Sequence, residues 1–378
     1  MFAIKELVRR VGNGITPRMV RHYHEIGLLP QPTRSPSNYR LYEEADVRRL
    51  QRIAALKQRG FQLSHIKQML AAGNGLPEGE LLQQLEGQYQ TVLQQLVKLR
   101  RTAIALEGLL GRDRSCQSQQ GQILARLQLL SEETETADSL ENWFWHDWDA
   151  AVCDHPENFQ EALQRLLPAL SQCSAIEIDI LSHLVLASGD VSLAAFIRMS
   201  PDAIAAARGA LSQGCNVIGD IAAVVAACDR TRLAHLSCDC LCAIDNPHIE
   251  SASDAEQAFW RDPFWRERLE DLIDGNIWVI GYAPSVLLEI CHLVETQAAR
   301  PALIIGLPMG FSHAPAAKRR LMQLPIPYIT SESNFGGGLL AAIALNRLAA
   351  SLIEKPDCHC YLKTQIPQDK SNLKNSSN

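Results

Sequence analysis

Through the first 110 residues apolar positions recur at steps of three and four, the spacing of one helical face. Ile4 to Val11 reads as a first amphipathic segment. Thr16 before Pro17 supplies an N-cap followed by a helix-starting proline. That helix runs through Arg18, Val20, Arg21 and Tyr23 and stops near Gly27. Pro30 to Asn38 is rich in proline and serine and reads as a loop, and Tyr39-Arg40-Leu41-Tyr42 alternates as a short strand would. Glu43 to Arg59 is predicted helical, with Ala45, Leu50, Ile53, Ala54 and Leu56 as its apolar stripe; Gly60 ends it, and Ser64 caps a further short helix through Leu70. Residues 80–110 then carry one long seam that includes Leu85, Tyr89, Val92, Leu96, Leu99, Ala103, Leu106 and Leu110. A lone amphipathic helix must bury its stripe. Antiparallel pairing with the same helix of a second chain does this; packing on the chain's own body is the alternative.

The texture changes in residues 142–355. Ala-rich helical stretches alternate with β-branched runs at Asn216-Val217-Ile218, Ile277-Trp278-Val279-Ile280 and Ala302-Leu303-Ile304-Ile305. Each run is predicted to end at a glycine, Gly219, Gly281 and Gly306 respectively. That order predicts a parallel sheet covered by helices, with ligands at the carboxyl ends of the strands. No G-x-G-x-x-G or Walker sequence occurs, so nucleotide binding finds no support. Residues 113–141, rich in Gln, Ser and Glu, read as a linker, and the tail after Lys363 reads as disordered.

The net charge of -6 conceals a split: residues 1–70 hold 13 Lys and Arg against 5 Asp and Glu, and the remainder holds 23 against 37. A basic head on an acidic body directs only the head at a polyanion. No run of about 18 apolar residues lacks a charge or breaker, so no transmembrane helix and no membrane partner are predicted. The start, MFAIKELVRR, has charges where a signal peptide needs its apolar stretch. A cytoplasmic location is expected, where eleven cysteines serve metal ligation or burial rather than disulfides.

Donors for base edges and phosphates gather at Arg18, Arg21, His22 and Tyr23 on the second helix, and at Arg34, Asn38, Tyr39, Arg40 and Tyr42 on the loop and strand that follow. Thr16 to Tyr23, Ile26-Gly27-Leu28-Leu29-Pro30 and Asn38 to Tyr42, followed by Asp46-Val47 with Leu50 and by Gly60-Phe61 with Ile66, resemble the MerR family of transcription activators. The resemblance implies a winged helix-turn-helix over residues 1–72 and an antiparallel dimerisation helix over 76–112. It also implies double-stranded promoter DNA, RNA polymerase and a second copy of the chain as partners, with activation by twisting a promoter whose spacer is overlong.

Further along stand Ser200-Pro201-Asp202, Gly214 to Asp220, Ile280 to Ser285, Ile305 to Phe311, Asn334 to Gly338 and Ala344-Leu345-Asn346. Their order and spacing resemble precorrin-8X methylmutase, which moves a methyl group around a macrocycle. The resemblance implies an isomerase-like domain over residues 142–356, and a histidine acid three residues before a Gly-Asp or Gly-Ser pair. Here Leu186 stands at that position, ahead of Gly189-Asp190, and leucine has no proton to give. His183, one turn earlier, would approach from a shifted angle. No catalytic residue is therefore assigned, and the body is expected to be a retired enzyme whose pocket persists as a sensor. A tetrapyrrole or corrin precursor stays a candidate ligand, and a working methylmutase fused to a DNA-binding domain is the rival reading. The chain thus reads as multidomain: an N-terminal all-α winged helix-turn-helix with a long dimerisation helix, then a C-terminal α/β three-layer domain with a parallel sheet.

Residues 357–378 contain Cys358-His359-Cys360, two thiolates and an imidazole within three residues. They cannot fill a coordination sphere alone, so donors from the body must complete it. Cys238, Cys240 and Cys242 recur at period two in His235 to Asp245, a predicted strand, which puts the three sulfurs on one face. That is either an additional thiolate site or the small apolar face of a buried strand. His146 and His155 flank the aromatic start of the body and are further candidates for a metal or a pocket rim. Head, body and terminal Cys-His-Cys together resemble the cobalt-responsive MerR-type activators of cyanobacteria, which implies Co²⁺ as sensed effector and control of a cobalt efflux system. Donor softness alone does not select cobalt, because Zn²⁺ takes the same ligands.

Overall fold

The computed structural model describes residues 1–71, 78–110, 158–167 and 172–356, single positions within them aside. The chain divides into two compact units, Met1–Gly108 and Leu109–Asn378.

The first unit runs β1 (Phe2–Ala3), α1 (Ile4–Val11), α2 (Pro17–Glu25), β2 (Thr33–Arg34), β3 (Arg40–Tyr42), α3 (Glu44–Gln58), α4 (Leu63–Ala71) and α5 (Glu78–Leu110). It is helical as expected and adds a small antiparallel sheet in the order β1-β3-β2. The start of α2 follows its sequence signal: the Thr16 hydroxyl accepts the Met19 N–H at 3.2 Å, with Pro17 in the first turn. Gly27 leaves the helix in the left-handed region at φ 69, where glycine carries no steric penalty. The carbonyls just beyond are taken from two sides, Ile26 by the Lys67 ammonium at 2.7 Å and Leu28 by Arg49 Nε at 3.0 Å. Leu7, Val20, Leu28, Leu50, Ile53 and Ile66 close the core beneath. Two expectations shift. In α3 Val47 is buried, whereas Ala45 is exposed. The helix α4 begins at Leu63, so Ser64 lies inside it and does not cap it. Along α5, Tyr89, Val92, Leu96, Leu99, Leu106 and Leu110 are exposed.

The second unit continues α6 (Phe159–Leu166), α7 (Ala175–Ser188), α8 (Leu193–Phe196), β4 (Ile197–Met199), α9 (Ala203–Ser212), β5 (Val217–Ile221), α10 (Ala222–Ala227), α11 (Arg230–His235), β6 (Cys240–Ile244), α12 (Ala252–Arg261) and α13 (Trp265–Ile273). It ends with β7 (Ile277–Ile280), α14 (Pro284–Gln297), β8 (Leu303–Gly306), α15 (His313–Leu321), β9 (Tyr328–Ser331) and α16 (Gly338–Glu354). The six strands lie in the order β4-β9-β8-β7-β5-β6. All neighbours are parallel except β4, which runs antiparallel to β9. Every residue of β5, β7 and β8 is buried, the mark of strands covered on both faces. One helix group gathers α16 with α7, α9, α10 and α11; another gathers α14 with α12, α13 and α15. In α16 the alanines at 341, 342, 344, 349 and 350 are fully buried, and such small side chains let α7 approach closely.

Two strand boundaries differ from expectation. Gly219 lies inside β5 rather than at its end, and a Cβ there would meet Val225 Cγ2 at 2.7 Å. The glycine makes room for the next helix and does not turn the chain. The edge strand β6 begins only at Cys240; His235 closes α11, and Cys238 follows Ser237, which sits at φ 56.

Candidate functional site

On the head, Arg18, Arg21 and His22 are exposed along α2, and Asn38, Tyr39 and Arg40 are exposed on the β2–β3 hairpin. The hairpin pairs Arg34 with Arg40 across its strands. Asn38 takes a left-handed φ of 63 at its tip, and its side-chain oxygen accepts Arg34 Nη1 at 2.6 Å. Asparagine tolerates that conformation better than most residues. The result is a rigid basic projection beside a basic helix, suited to a phosphate backbone and its grooves.

Two expected DNA contacts are corrected. Tyr23 is 1% exposed and Tyr42 is fully buried, so neither ring reaches a duplex. Tyr23 lies on the opposite face of α2 from Arg21, in the head's core. The Tyr42 hydroxyl meets His24 Nε2 at 3.3 Å, with the rings 5.7 Å apart. Desolvation pushes the His24 pKa down and those of both tyrosines up.

In the body, the carboxyl ends of β6, β7, β8 and β9 meet a series of loops. Asp220 near the end of β5 is completely buried. Its Oδ2 accepts the N–H groups of Gly281, Tyr282 and Ala283 at 3.0, 2.6 and 2.8 Å, and Oδ1 accepts that of Ile221. Burial pushes its carboxyl up to about 6 against the pull of those four donors. Lys318 of α15 is 1% exposed. Its ammonium donates to Ser331 Oγ and to the carbonyls of Ser333 and Phe335 at 3.0, 3.0 and 2.7 Å, so it orders the loop after β9. Burial lowers its pKa to about 8. Both groups escaped the sequence reading. Position 318 carried a usable signal, since it shares a helical face with Ala314, Ala317 and Leu321. Over the ordered frame stand exposed apolar side chains, Phe311, Phe335, Met309 and Leu339.

Leu186 is 44% exposed near the end of α7. His183, one turn earlier, commits Nδ1 to the carbonyl of Asp179 at 2.8 Å, and Arg347 Nε donates to the Asp179 carboxylate at 2.7 Å. Cys238, Cys240 and Cys242 are not gathered as a ligand group, since β6 begins at Cys240 and leaves Cys238 outside the strand. Cys238 is buried and its thiol faces the Leu211 carbonyl at 3.5 Å, while Cys242 faces that of Ile244 at 3.1 Å. Burial raises all three thiols, Cys242 to about 11, as for small side chains packed against the sheet. Among the described residues no group of three or more His, Cys, Asp or Glu side chains is disposed to hold a metal ion. His146, His155, Cys358, His359 and Cys360 lie outside the described residues. No described helix is long and apolar enough to cross a membrane.

Comparison with known proteins places these features in a family. Residues 159–351 match the precorrin-8X methylmutase family, and residues 2–73 match the MerR HTH family of regulatory proteins. Over 179 residues the chain is 29% identical to the cobalt-precorrin-8 methylmutase of Leptospira interrogans, spanning 46% of this chain and 81% of that protein. Over 168 residues it is 33% identical to the precorrin-8X methylmutase of Pseudomonas aeruginosa, spanning 43% and 78%. The head is 43% identical over 58 residues to the HTH-type transcriptional activator mta of Bacillus subtilis, spanning 15% of this chain and 23% of that protein. The chain therefore belongs to the precorrin-8X methylmutase family and joins that domain to a MerR-family regulatory head.

Proposed function

We propose that the chain is a cobalt-responsive transcription activator in which a retired isomerase body has become the sensor. The observation that carries this reading is a pairing within one chain. A head with an exposed basic helix and hairpin is joined to a body in which Leu186 stands where the family resemblance calls for an acid. The head binds promoter DNA as a dimer, through pairing of the exposed seam of α5, and recruits RNA polymerase by twisting the spacer. Co²⁺ is taken by Cys358 and Cys360, then His359, with an imidazole or carboxylate of the body completing the sphere, and the controlled gene serves cobalt efflux. A soft thiolate pair joined by nitrogen or oxygen donors suits Co²⁺ better than a closed thiolate cage does. The metal acts only so far as it binds the twisting state more tightly than the resting one.

A second ligand is favoured by one further observation. The apolar side chains above the carboxyl ends of β7, β8 and β9 remain exposed, as a surface for a macrocycle requires. The body retains affinity for a corrin precursor on that surface.

Run-off transcription from the promoter of the controlled efflux gene tests the regulatory reading. Co²⁺ raises transcript yield while operator occupancy stays constant, and replacing both Cys358 and Cys360 by Ser abolishes the response without loss of occupancy. Normal induction in the double variant removes the tail as sensor; Co²⁺-dependent occupancy removes the twisting mechanism.

A further inference from the structure

We propose that Cys215 and Cys238 form a two-thiolate site in the body for a monovalent soft cation, Cu(I). The inference goes beyond the cobalt reading and does not depend on it. Cys215 lies just before β5 and Cys238 just before β6. In the parallel pairing of these strands Val217 stands beside Cys240, and the Val217 N–H donates to the Asp239 carbonyl at 2.8 Å. The same register, carried back to the two cysteines, sets Cys215 beside Cys238 at the strand spacing of about 4.8 Å. Gly214 shares the close approach, since a Cβ there would meet the Ser237 carbonyl oxygen at 2.9 Å.

The two side chains meet. The thiols of Cys215 and Cys238 are hydrogen-bonded to each other. Cys228 and Cys242 turn to the backbone instead, Cys228 to the Val224 carbonyl at 3.3 Å and Cys242 to that of Ile244 at 3.1 Å. Cys238 is buried, whereas Cys215 is half-buried and opens the pair to solvent. The Asp239 carboxylate adds negative charge beside Cys238, which favours a cation. The pair lies at the amino ends of its strands, apart from the carboxyl-end loops.

The number of donors selects the ion. Thiolates suit Cu(I), Zn²⁺ and iron–sulfur clusters, but structural Zn²⁺ takes four donors and clusters take four thiolates. Among the described residues no group of three or more His, Cys, Asp or Glu is disposed to hold a metal ion. Two thiolates in line complete the shell of Cu(I). With metal–sulfur bonds of about 2.3 Å the sulfurs straddle the ion about 4.6 Å apart, close to the strand spacing. On binding, each sulfur releases its proton to solvent and forms one bond to copper, which stays Cu(I) throughout.

The test uses the full chain, kept reduced, with Cys358→Ser and Cys360→Ser so that the tail takes no copper. Cu(I) is supplied as its coloured bathocuproine disulfonate complex, and loss of colour reports transfer to the protein. The chain withdraws one equivalent, and X-ray absorption shows two sulfur neighbours on that copper. Because both thiols release a proton, affinity rises about hundredfold per pH unit between about pH 6 and pH 8. Cys215→Ala and Cys238→Ala each abolish the transfer, while Cys291→Ala, at a fully buried thiol elsewhere in the core, leaves it intact. Circular dichroism checks that each variant folds, and half-buried Cys215 decides the outcome if Cys238→Ala does not. No withdrawal by the parent chain, withdrawal that survives in Cys215→Ala, equal loss in a folded Cys291→Ala, or three sulfurs on the copper overturns the site.

Discussion

Asp220 accepts the backbone N–H of Tyr282 at 2.6 Å, across the gap between β5 and β7 where the sheet reverses its order. From β5 the chain moves outward to the edge strand β6; from β7 it moves the other way, through β8 to β9. Open α/β sheets bind ligands at such reversals. Here a buried carboxylate ties the turn after β7 to the end of β5, and the apolar loops are built around that tie.

Asp220→Ala leaves four N–H groups without their acceptor, and at about 1–3 kcal/mol for each orphaned donor the body loses at least about 4 kcal/mol. Burial raises this carboxyl to about 6, so the fold holds its proton more tightly than the unfolded chain. The contribution of Asp220 to stability is then greatest below about pH 4 and declines as pH climbs to 6. Urea midpoints of wild type and variant should draw together across that window. A gap that widens instead means that the four donors outweigh burial.

Lys318→Met removes the donor shared by Ser331, Ser333 and Phe335 and loosens the loop after β9, at a cost of about 1–3 kcal/mol. The amine's folded pKa is lowered to about 8, so the unfolded chain binds the proton more tightly. Wild type should gain stability relative to the variant as pH rises from about 8 to about 10.5. Parallel denaturation curves for the two proteins over that range would contradict the burial of the ammonium.

Arg21→Ala and Arg40→Ala should each weaken operator binding by about 1–3 kcal/mol where the guanidinium grips a base edge. Tyr23→Phe should leave affinity unchanged, because its hydroxyl is buried without a partner among the described residues. Tyr23→Ala should instead cost the head about 3–5 kcal/mol of stability through the cavity it leaves. Fluorescence anisotropy with operator DNA, read beside thermal melts, separates contact from core. A folded Tyr23→Phe protein with weakened binding would return Tyr23 to the interface.

The purified chain should show no methylmutase turnover on precorrin-8X, since Leu186 has no proton to donate. Leu186→His should restore a trace if the surrounding surface is intact. Multiple turnover by the native sequence would reinstate the enzyme and direct attention to His183.

Leu99 is 70% exposed on α5. Leu99→Asp places a charge in the proposed seam between two chains and should shift sedimentation from dimer to monomer. An unchanged dimer assigns association to another surface.

Much of the architecture is legible from local signals. Thr16-Pro17, the three-and-four spacing of α3 and α5, and the β-branched runs of β7 and β8 state their conformation within a few residues, because dihedral preference and periodicity are local properties. The family motifs are legible for the same reason, and Leu186 in the histidine position is a fact of sequence alone. Other features depend on what the distant chain brings alongside. Gly219 resembles a strand terminator until Val225 is seen to need its space. Tyr23 and Arg21 are near neighbours on one helix, and only the packing of the rest of the head places one in the core and the other in solvent. The Cys238, Cys240 and Cys242 spacing fits a ligand set until Cys238 falls outside the strand. Asp220 and Lys318 are ordinary polar residues in the sequence, and their partners come from other segments, the turn after β7 for Asp220 and the loop after β9 for Lys318. The sequence sets which conformations are cheap for each segment, whereas the desolvation and pairing of a polar group are decided by the elements that stack around it.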